Sequence, residues 1–530
     1  MNFLEMLTAV NNVINDFVWV KLGLVMLLGT GVLMTFLTKF FQVSHLRHWM
    51  KQTLGSLTDK KVSAHTGKQE KSISQFQALC TALAATVGVG NIAGVAAAIC
   101  SGGAGAVFWM WVAAFFGMMT NYSENVLGIY YRCRNKKGEW AGGAMYYLRD
   151  GLGSYKGCKT IGKVLAVLFS VFCLLASFGI GNMGQVNKIV ANIESAFRID
   201  SLSDKILYTT ESGSVSLYAL IIGLALTVLA GLIILGGLKR IASFAEKVVP
   251  AMVVLYVVGS LIVIGTHYSA IGDAFKAIFT TAFAPKALWG GVTGVTIKTV
   301  VTWGFKRGVF SNEAGLGSSV MVHSSSNIKE PVRQGMWGIF EVFADTMVIC
   351  TMTALVVLTS GVIDLETGMI AAGAASDATL VASAFNTVFT IGGITLGDKF
   401  VAVAILLFAF TTVLGWSHYG TIAFEYLFGT KATMVYKVFF VVMIVSGAVI
   451  TSSIAWDISD TFNGLMMIPN LIGVLSLSGV VMKITKNYID RKIKGKKDVA
   501  PMLSAFPDVQ MEQEAEMLNE DADVSVHQIN

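Results

Sequence analysis

Charged residues are scarce in this sequence. Only 14% of its residues are Asp, Glu, Lys or Arg, whereas a soluble domain carries about a quarter. Apolar residues make up 54% of the chain, and the mean hydropathy is +0.66. A single water-soluble core cannot absorb that much apolar surface. The composition therefore excludes a soluble protein and indicates that most of the chain faces lipid or other helices buried in lipid.

Patterns of metal-binding and catalytic residues are also missing. The six cysteines form no Cys-x-x-Cys pair, and the seven histidines form no His-Glu-x-x-His motif. Cys133 and Cys158 share a basic loop that we expect in the reducing cytoplasm, so no disulfide framework is predicted. No intramembrane nucleophile–base pair is evident, and neither an enzyme nor a cofactor is expected. The net charge of +6 arises between apolar stretches, where membrane topology explains it better than nucleic-acid binding.

Long apolar segments dominate what is present. Each approaches or exceeds the ~20 residues that cross a bilayer as a helix, and none alternates as barrel strands do. No cleavable signal peptide is expected, because no Lys or Arg precedes the first segment and that segment is long enough to span. The sequence predicts an all-α polytopic membrane protein with eleven transmembrane spans: 17–41, 75–100, 104–131, 161–190, 214–238, 245–267, 288–320, 334–361, 398–427, 434–454 and 459–483.

The distribution of Lys and Arg orients these spans. Basic residues concentrate after the odd-numbered spans and in the tail, at Arg47, Lys51, Lys60, Lys61, Lys68, Lys71, Arg132, Arg134, Lys136, Lys137, Arg149, Lys156, Lys159, Lys163, Lys239, Arg240, Lys247, Lys329, Arg333, Lys431, Lys437 and 483–497. The opposite loops hold acidic residues, namely Asp200, Asp204, Glu211, Asp364 and Glu366. Because basic loops stay inside, we expect a multi-pass protein of a bacterial inner membrane with its N-terminus outside and its C-terminus cytoplasmic.

An internal repeat is the most informative pattern. Span two contains Gly88-Val89-Gly90-Asn91-Ile92-Ala93-Gly94, and span seven contains the similar string 308–315. Because the two spans lie five apart, they run in opposite directions, as in transporters built from inverted repeats around a central site. The predicted units are an extra N-terminal helix with its loop (1–74), two inverted five-helix repeats (75–267 and 268–485), and a disordered cytoplasmic tail (486–530). A chance match of glycine-rich strings is the alternative.

The first glycine-rich string, 84–91, predicts a broken helix. Mid-span glycines weaken a helix, and lipid cannot satisfy the freed backbone groups, so such a break must line a protein cavity. The second half-helix then offers N–H groups to a carboxylate, and the first offers carbonyls to a cation. Close packing through small residues remains an alternative. The string also fits a dinucleotide-binding motif, but no strand–helix unit or later acidic residue supports that interpretation.

The second predicted break, 303–313, holds three ionisable residues at membrane depth, where charge marks functional sites. The alternative is that Lys306, Arg307 and Glu313 pair with one another or extend toward the interface and hold the shape of the loop. Further candidates for a coupling role are Lys298, Glu124, Glu341, Asp345 and Asp457.

Spans four and nine supply further polar candidates. Thr411 and Thr412 in span nine could complete a Na⁺ shell, or could simply bond to carbonyls of their own helix. In span four, Asn182 and Gln185 could bond polar groups of a ligand, or could link helices.

Several strings resemble the alanine or glycine:cation symporter family. They are Gly102-Gly103-Ala104-Gly105-Ala106-Val107-Phe108-Trp109-Met110-Trp111-Val112-Ala113-Ala114-Phe115-Phe116-Gly117, then 142–148, 308–318 and 411–416. The resemblance covers about residues 15–485, with one departure at Ala144, where the family pattern has Pro. It implies a leucine-transporter-type fold and uptake of alanine or glycine driven by Na⁺ or H⁺. The turn 88–91 is also similar to the Gly-Leu-Gly-Asn turn of the bacterial leucine transporter.

The resemblance also implies a set of site residues. The amides of Val89 and Gly90 would hold the substrate carboxylate, and Trp416 and Phe310 would wall a small pocket. The full set of predicted substrate residues is Thr86, Gly88, Val89, Gly90, Asn91, Asn182, Gln185, Gly308, Phe310, Ser311 and Trp416. The predicted sodium site consists of carbonyls of Ala84 and Val87 with Thr411 and Thr412. A same-fold carrier of another solute, a channel and a membrane-embedded enzyme are the alternatives.

Overall fold

The computed structural model describes residues 3–57, 72–210, 213–284, 295–370, 378–450 and 454–527. Within these ranges the chain is almost entirely helical. The α-helices are Phe3–Asp16, Leu24–Leu37, Phe41–Ser44, Leu46–Gln52, Gln75–Thr86, Val95–Gly102, Gly105–Tyr130, Ala144–Tyr146, Lys159–Phe178, Gly184–Ala196, Asp200–Ser203, Leu217–Ile234, Leu238–Thr266, Ile271–Phe283, Ile297–Asn312, Val320–His323, Pro331–Val342, Thr351–Thr359, Ala378–Asn386, Gly397–Phe428, Thr433–Val449, Ile454–Ser476, Ser478–Tyr488 and Pro507–His527.

Short π-helical and 3-10 turns join several of these helices. The π-helical turns are Phe17–Gly23, Gly90–Gly94, Tyr147–Gly151, Gly179–Met183, Phe343–Cys350 and Ile489–Ile493, and the 3-10 turns are Leu54–Ser56, Leu152–Ser154 and Tyr268–Ala270. The described strands form three antiparallel hairpins outside the helices: Cys133–Arg134 with Trp140–Ala141, Ile206–Thr210 with Gly213–Ser216, and Thr390–Ile391 with Ile394–Thr395.

The all-α polytopic class is confirmed, whereas the count of eleven spans is not. Six described helices are long and apolar enough to cross a membrane, or up to eight if each of two bent pairs is one span. Thr433–Val449 is apolar but shorter. Span seven was predicted to start at residue 288, which lies outside the described residues, as do Lys60, Lys61, Lys68, Lys71 and Glu211. The inverted repeat and the division at residues 75, 268 and 486 stay predictions.

The last predicted span, 459–483, is not one straight helix. The pair Asp457–Ser476 and Ser478–Ile493 bends by 58°. Two helices, Ile271–Phe283 and Ala378–Asn386, also lie between predicted spans. They were not predicted, because their apolar runs are too short to register as spans.

Small residues allow the helices to pack closely. Gly105–Tyr130 packs against Ile297–Asn312 and Pro331–Val342. A Cβ atom placed on Gly304 would lie 2.5 Å from the carbonyl oxygen of Ala106, which shows how near the two backbones come. Membrane helices associate in this way because lipid provides no hydrophobic drive.

A buried arginine holds the segment that follows the short helix Val320–His323. Arg132 is 1% exposed, and its guanidinium donates to the carbonyl oxygens of Ser324 (3.1 Å), Ser326 (2.6 Å) and Ile328. Ile73 pairs with the same segment through backbone hydrogen bonds. This non-helical stretch is therefore satisfied by protein groups, as irregular backbone in an apolar region must be.

The tail departs from the predicted disorder. Residues 507–527 form a helix, and Leu503 ahead of it is fully buried. Its contacts with the rest of the chain include one backbone hydrogen bond and two ion pairs: Ala505 N to Tyr130 O (2.9 Å), Glu512 to Arg134 (3.4 Å) and Glu516 to Lys329 (3.2 Å). An acidic segment without a core of its own reads as disordered. Here basic residues from distant loops provide the partners that the local sequence lacks.

Close approach at Gly105 provides a test of the packing. A Cβ atom there would lie 2.4 Å from the backbone nitrogen of Ala282, whereas a Cβ atom on Gly265 has nothing within 4 Å. We expect Gly105→Ala to lower the melting temperature of the purified protein, because overpacking costs about 1–3 kcal/mol. Gly265→Ala is the matched control and should not lower it. Equal melting temperatures, measured by size-exclusion after heating, would contradict the packing described.

Candidate functional site

The first interrupted helix begins and ends at defined residues. Gln75–Thr86 starts at a capping box, in which the Ser74 hydroxyl accepts from the Gln77 amide and the Gln77 side chain accepts from the Ser74 amide. The helix ends at Val87, whose ψ of 90° is extended. After the break it resumes, and the two halves meet at 54°. The interruption predicted within 84–91 is therefore present.

Side chains replace the helical hydrogen bonds at this break. In a continuous helix the Gly88 amide would bond to the Ala84 carbonyl, but it donates instead to Asn91 Oδ1 at 2.9 Å. The Val89 amide donates to Gln185 Oε1 at 3.4 Å. The carbonyls of the first half-helix are thereby left open to other donors or to a cation.

One of these open carbonyls already has a partner on span nine. The Thr412 hydroxyl lies 3.5 Å from the Val87 carbonyl oxygen and 3.0 Å from that of Phe408. Thr411 is placed differently, with its hydroxyl 2.9 Å from the Phe408 carbonyl and 3.6 Å from Met252 Sδ. Both hydroxyls bond to a carbonyl of their own helix, which is the alternative to a Na⁺ ligand that the sequence left open. Of the two, only Thr412 also has a described hydrogen bond to the break.

Glycines bring the predicted substrate residues close to the first break. A Cβ atom on Gly88 would meet Thr412 Oγ1 at 2.6 Å, and one on Gly90 would meet the Phe310 ring at 3.2 Å. Trp416 packs directly on Gly181 of span four. Side chains from three other predicted spans, Gln185 of span four, Phe310 of span seven and Thr412 of span nine, therefore lie around residues 87–91.

Other predicted residues take part in helix contacts instead. Gly308 faces Met110 and Ala113 of another helix. The Asn182 side chain donates to the Phe440 carbonyl at 2.8 Å, which is the helix-linking alternative. Thr86 lies 3.3 Å from the carbonyl of Ala82 in its own helix.

The second interruption lies later than predicted. Ile297–Asn312 is a continuous helix through most of the predicted break, 303–313. It ends at Glu313, which adopts a left-handed conformation with φ of 56°. The glycines within 303–313 serve close packing, and the tertiary contacts of Glu313 set the actual end. Its carboxylate accepts from Trp416 Nε1 at 2.9 Å and from the Ser318 hydroxyl at 2.5 Å.

The three ionisable residues of this segment do not pair with one another, so the mutual pairing that the structural alternative included is wrong. Lys306 pairs with Asp460 at 3.1 Å. The Arg307 guanidinium lies over the rings of Trp303 (5.1 Å) and Phe310 (5.8 Å). Each charge thus points to a different neighbour, because consecutive helical residues project in different directions.

Backbone carbonyls, a hydroxyl and backbone amides that bond to side chains meet at the first break, in an arrangement that suits a zwitterion and a cation. Backbone N–H groups of the resuming helix favour an anion, and the carbonyls before the break favour a cation. Among the residues described, no group of three or more His, Cys, Asp or Glu side chains has the arrangement of a metal centre.

Comparison with known proteins decides the class. The model of the sodium:alanine symporter family matches residues 4–502. The chain belongs to this family.

Relatives within the family cover nearly the whole chain. The sodium/alanine symporter AgcS of Methanococcus maripaludis is 41% identical over 90% of this chain and 96% of its own. The probable sodium/glutamine symporter GlnT of Bacillus subtilis is 35% identical over 93% of each chain. The amino-acid carrier protein AlsT of the same species is 32% identical over 91% of this chain and 92% of its own. The chain is thus a membrane transporter and not an enzyme.

Buried carboxylates are the feature of this symporter that sequence reasoning placed least well. Asp345 is fully buried and contacts residues of both interrupted segments, Asn91 and Ser311. Sequence reasoning named Asp345 only as one of several charges in apolar spans. Thr346 and Cys350, which adjoin it, were missed, and their signal was the group Asp345, Thr346, Cys350 and Thr351 inside an otherwise apolar run.

The remaining charges suggested for coupling lie elsewhere. Glu124 bonds to Asn470, and Glu341 pairs with His323 at 2.9 Å, with all four side chains buried. Lys298 is exposed. Glu124, Glu341 and Lys298 have no described hydrogen bond to residues 87–91.

Glu313 provides a test of the second interruption. Glu313→Ala would leave the buried indole N–H of Trp416 and the Ser318 hydroxyl without their acceptor, at a cost of about 1–3 kcal/mol for each group. We expect a clear fall in the melting temperature of the purified symporter. Glu313→Gln keeps an acceptor oxygen and should cause a smaller fall. Indistinguishable melting curves for the two variants would contradict the described bonds.

Proposed function

We propose that this protein imports alanine and glycine together with Na⁺ by alternating access in a bacterial inner membrane, with its N-terminus outside and its C-terminus in the cytoplasm. Its membership of the sodium:alanine symporter family is the observation that carries the proposal. The name of the 41% identical relative, a sodium/alanine symporter, supports alanine and Na⁺ in particular. The interrupted helix at 87–91 supports a substrate site at the same place.

The substrate carboxylate is proposed to bind the amides of Val89 and Gly90. In the structure the Val89 amide faces Gln185 Oε1 at 3.4 Å, a long hydrogen bond that a carboxylate would replace. Asn91 orients the turn through its bond to the Gly88 amide. Binding thus exchanges a weak neutral partner for a charged one at a helix N-terminus.

Substrate size is proposed to be limited by two aromatic side chains. Phe310 contacts Gly90, and Trp416 is held by Gly181 on one side and by the Glu313 carboxylate on the other. Because Trp416 is held on both sides, it cannot move away to enlarge the pocket. This supports small substrates such as alanine and glycine. One relative is named a probable sodium/glutamine symporter, and glutamine is larger than alanine. Competition between amino acids for uptake must therefore test this size limit.

Na⁺ is proposed to bind next to the break, between the Ala84 and Val87 carbonyls and the Thr412 hydroxyl. The Thr412 hydroxyl already lies 3.5 Å from the Val87 carbonyl oxygen. The Gly88 amide no longer caps the Ala84 carbonyl in the helical manner. Na⁺ bound there would hold span nine against the first break, and the two repeats would then rock around the site.

The deciding experiment is uptake of labelled alanine into proteoliposomes that contain the purified protein. We expect accumulation that requires an inward Na⁺ gradient and is blocked by excess glycine but not by glutamine. Gly90→Leu should abolish it while the protein still inserts, because the added side chain would occupy the space beside Phe310. Accumulation driven equally well by a proton gradient would refute Na⁺ coupling. Blockade by glutamine alone would refute the substrate.

A pair of neighbouring threonines tests the sodium site. We expect Thr412→Val to raise the Na⁺ concentration for half-maximal uptake by about tenfold or more, because it removes a ligand oxygen. Thr411→Val is isosteric and adjacent, but its hydroxyl points to Met252, so the dependence should shift less. Initial rates across a Na⁺ series measure both. A larger rise in the half-maximal Na⁺ concentration for Thr411→Val than for Thr412→Val would contradict this site and would assign Na⁺ to the other face of the helix.

A further inference from the structure

The C-terminal segment lies outside the proposed transport site and beyond the family match, which ends at residue 502. The chain continues through the buried Leu503 into the helix Pro507–His527, which is called the tail helix below. The described ionic partners of the tail helix lie in two basic loops. It therefore packs on the side of the protein that the distribution of Lys and Arg predicts to be cytoplasmic.

A short stretch ahead of the tail helix is firmly anchored. The Ala505 amide donates at 2.9 Å to the carbonyl of Tyr130, the last residue of the helix Gly105–Tyr130. That carbonyl has no acceptor role within its own helix, so the bond caps the helix end. The Gln510 side chain accepts from the Leu503 amide at 2.8 Å. These contacts, with the full burial of Leu503, fix where the tail helix begins.

The tail helix itself is held by weaker contacts. Glu512 pairs with Arg134 and Glu516 pairs with Lys329, and the two glutamate side chains are 47% and 51% exposed. Ion pairs exposed to this extent stabilise little, because water screens them. On the same helix Gln513 is buried, and its Oε1 has no described hydrogen-bond partner, which makes docking costly. The tail helix is therefore docked but easily released.

The contacts of the tail helix join two loops that belong to different predicted repeats. Arg134 lies in the hairpin that follows span three, and Lys329 lies in the segment 324–330 that follows span seven. Ala505 adds a third contact at the end of span three. Docking of the tail helix therefore ties span three to the segment after span seven.

Segment 324–330 is bonded in turn to the start of the first interrupted helix. Ile73 donates its amide to the Ser325 carbonyl at 3.2 Å and accepts from the Asn327 amide at 2.9 Å. The next residue caps the half-helix Gln75–Thr86, which ends at the break that lines the proposed site. Movement of segment 324–330 is therefore coupled to the half-helix on the predicted cytoplasmic side of the break.

We propose that the tail helix is an autoinhibitory restraint, which holds the predicted cytoplasmic ends of spans two, three and seven together and slows each transport cycle. Substrate that enters the cytoplasm must leave between helices on that side, so these ends have to shift once in every cycle. Conformational steps of this kind commonly limit turnover. The inference rests on the proposed function for the direction of transport and for the substrate with which it is measured.

The test compares full-length variants in proteoliposomes. Glu512→Gln with Glu516→Gln removes both charges that face the basic loops and should release the tail helix, because the remaining bonds are between a cation and a neutral amide. We expect the maximal rate of labelled alanine uptake, per inserted protein, to rise about threefold or more. An unchanged or lower maximal rate in a variant whose tail helix is released would overturn the proposal.

Hydrogen exchange of the purified variants shows whether the tail helix is released. A helix without tertiary contacts is only marginally stable, so amides 507–518 should exchange faster in the double variant. Amides 73–77 and 324–328 should also exchange faster, because the restraint on their pairing is gone. Unchanged exchange in all three regions would overturn the proposal. Faster exchange in the tail helix alone would overturn it too, because the tail would then restrain nothing.

Two controls separate the ion pairs from a general change of charge. Asp508→Asn with Glu514→Gln removes the same number of charges from the same helix, at residues outside the described ion pairs. It should leave the uptake rate and the exchange at wild-type values, and an effect equal to that of the test variant would overturn the proposal. Glu516→Lys alone should raise the rate, and Lys329→Glu added to it should restore the wild-type rate. Failure to restore it would contradict the role of this pair.

The restraint and the proposed function can fail independently. If no variant accumulates alanine, the proposed substrate is wrong, and hydrogen exchange, which needs no substrate, still decides whether the tail helix restrains the ends of the spans. If alanine accumulates at the same rate whether the tail helix is docked or released, the proposed function stands and the restraint is refuted.

Discussion

The satisfaction of broken backbone inside an apolar protein is the constraint on which this structure depends. An interrupted helix frees N–H and C=O groups that lipid cannot satisfy. At the first break, Asn91 and Gln185 accept from the amides of Gly88 and Val89. Arg132 donates to three carbonyls of the segment after Val320–His323. The bonds of Gln185 and Arg132 also tie segments together that are far apart in sequence, so helices meet at these places.

The buried carboxylates serve the same constraint in different ways. Glu313 holds the end of one helix through Trp416 and Ser318, and its bonds fix an aromatic side chain beside the first break. Asp345 instead lies between the two interrupted segments and accepts hydrogen bonds from Asn91 and Ser311. Glu313 thus fixes the end of one helix, whereas Asp345 joins two helices that are interrupted at different places.

The position of the first break could be predicted from the local sequence. Glycines at 88 and 90 in an apolar span predicted an interruption, and the helix does end at Val87. The second break was misplaced, because glycines at 304 and 308 serve close packing and leave the helix intact. Nothing local distinguishes a glycine that ends a helix from one that lets a neighbour approach. The order of the tail was likewise decided by distant basic residues, since an acidic segment has no local partner.

By itself, the sequence determined the membrane class, the family strings and the position of the first break, because hydropathy and glycine content act along the chain. Only the tertiary structure decided which neighbouring polar groups face the break. It turned Thr412 toward Val87 and Thr411 toward Met252, and it placed Asp345 against residues 254 and 34 positions away along the chain. Such choices depend on how helices rotate and pack against one another, and that rotation is set by contacts between segments far apart in sequence.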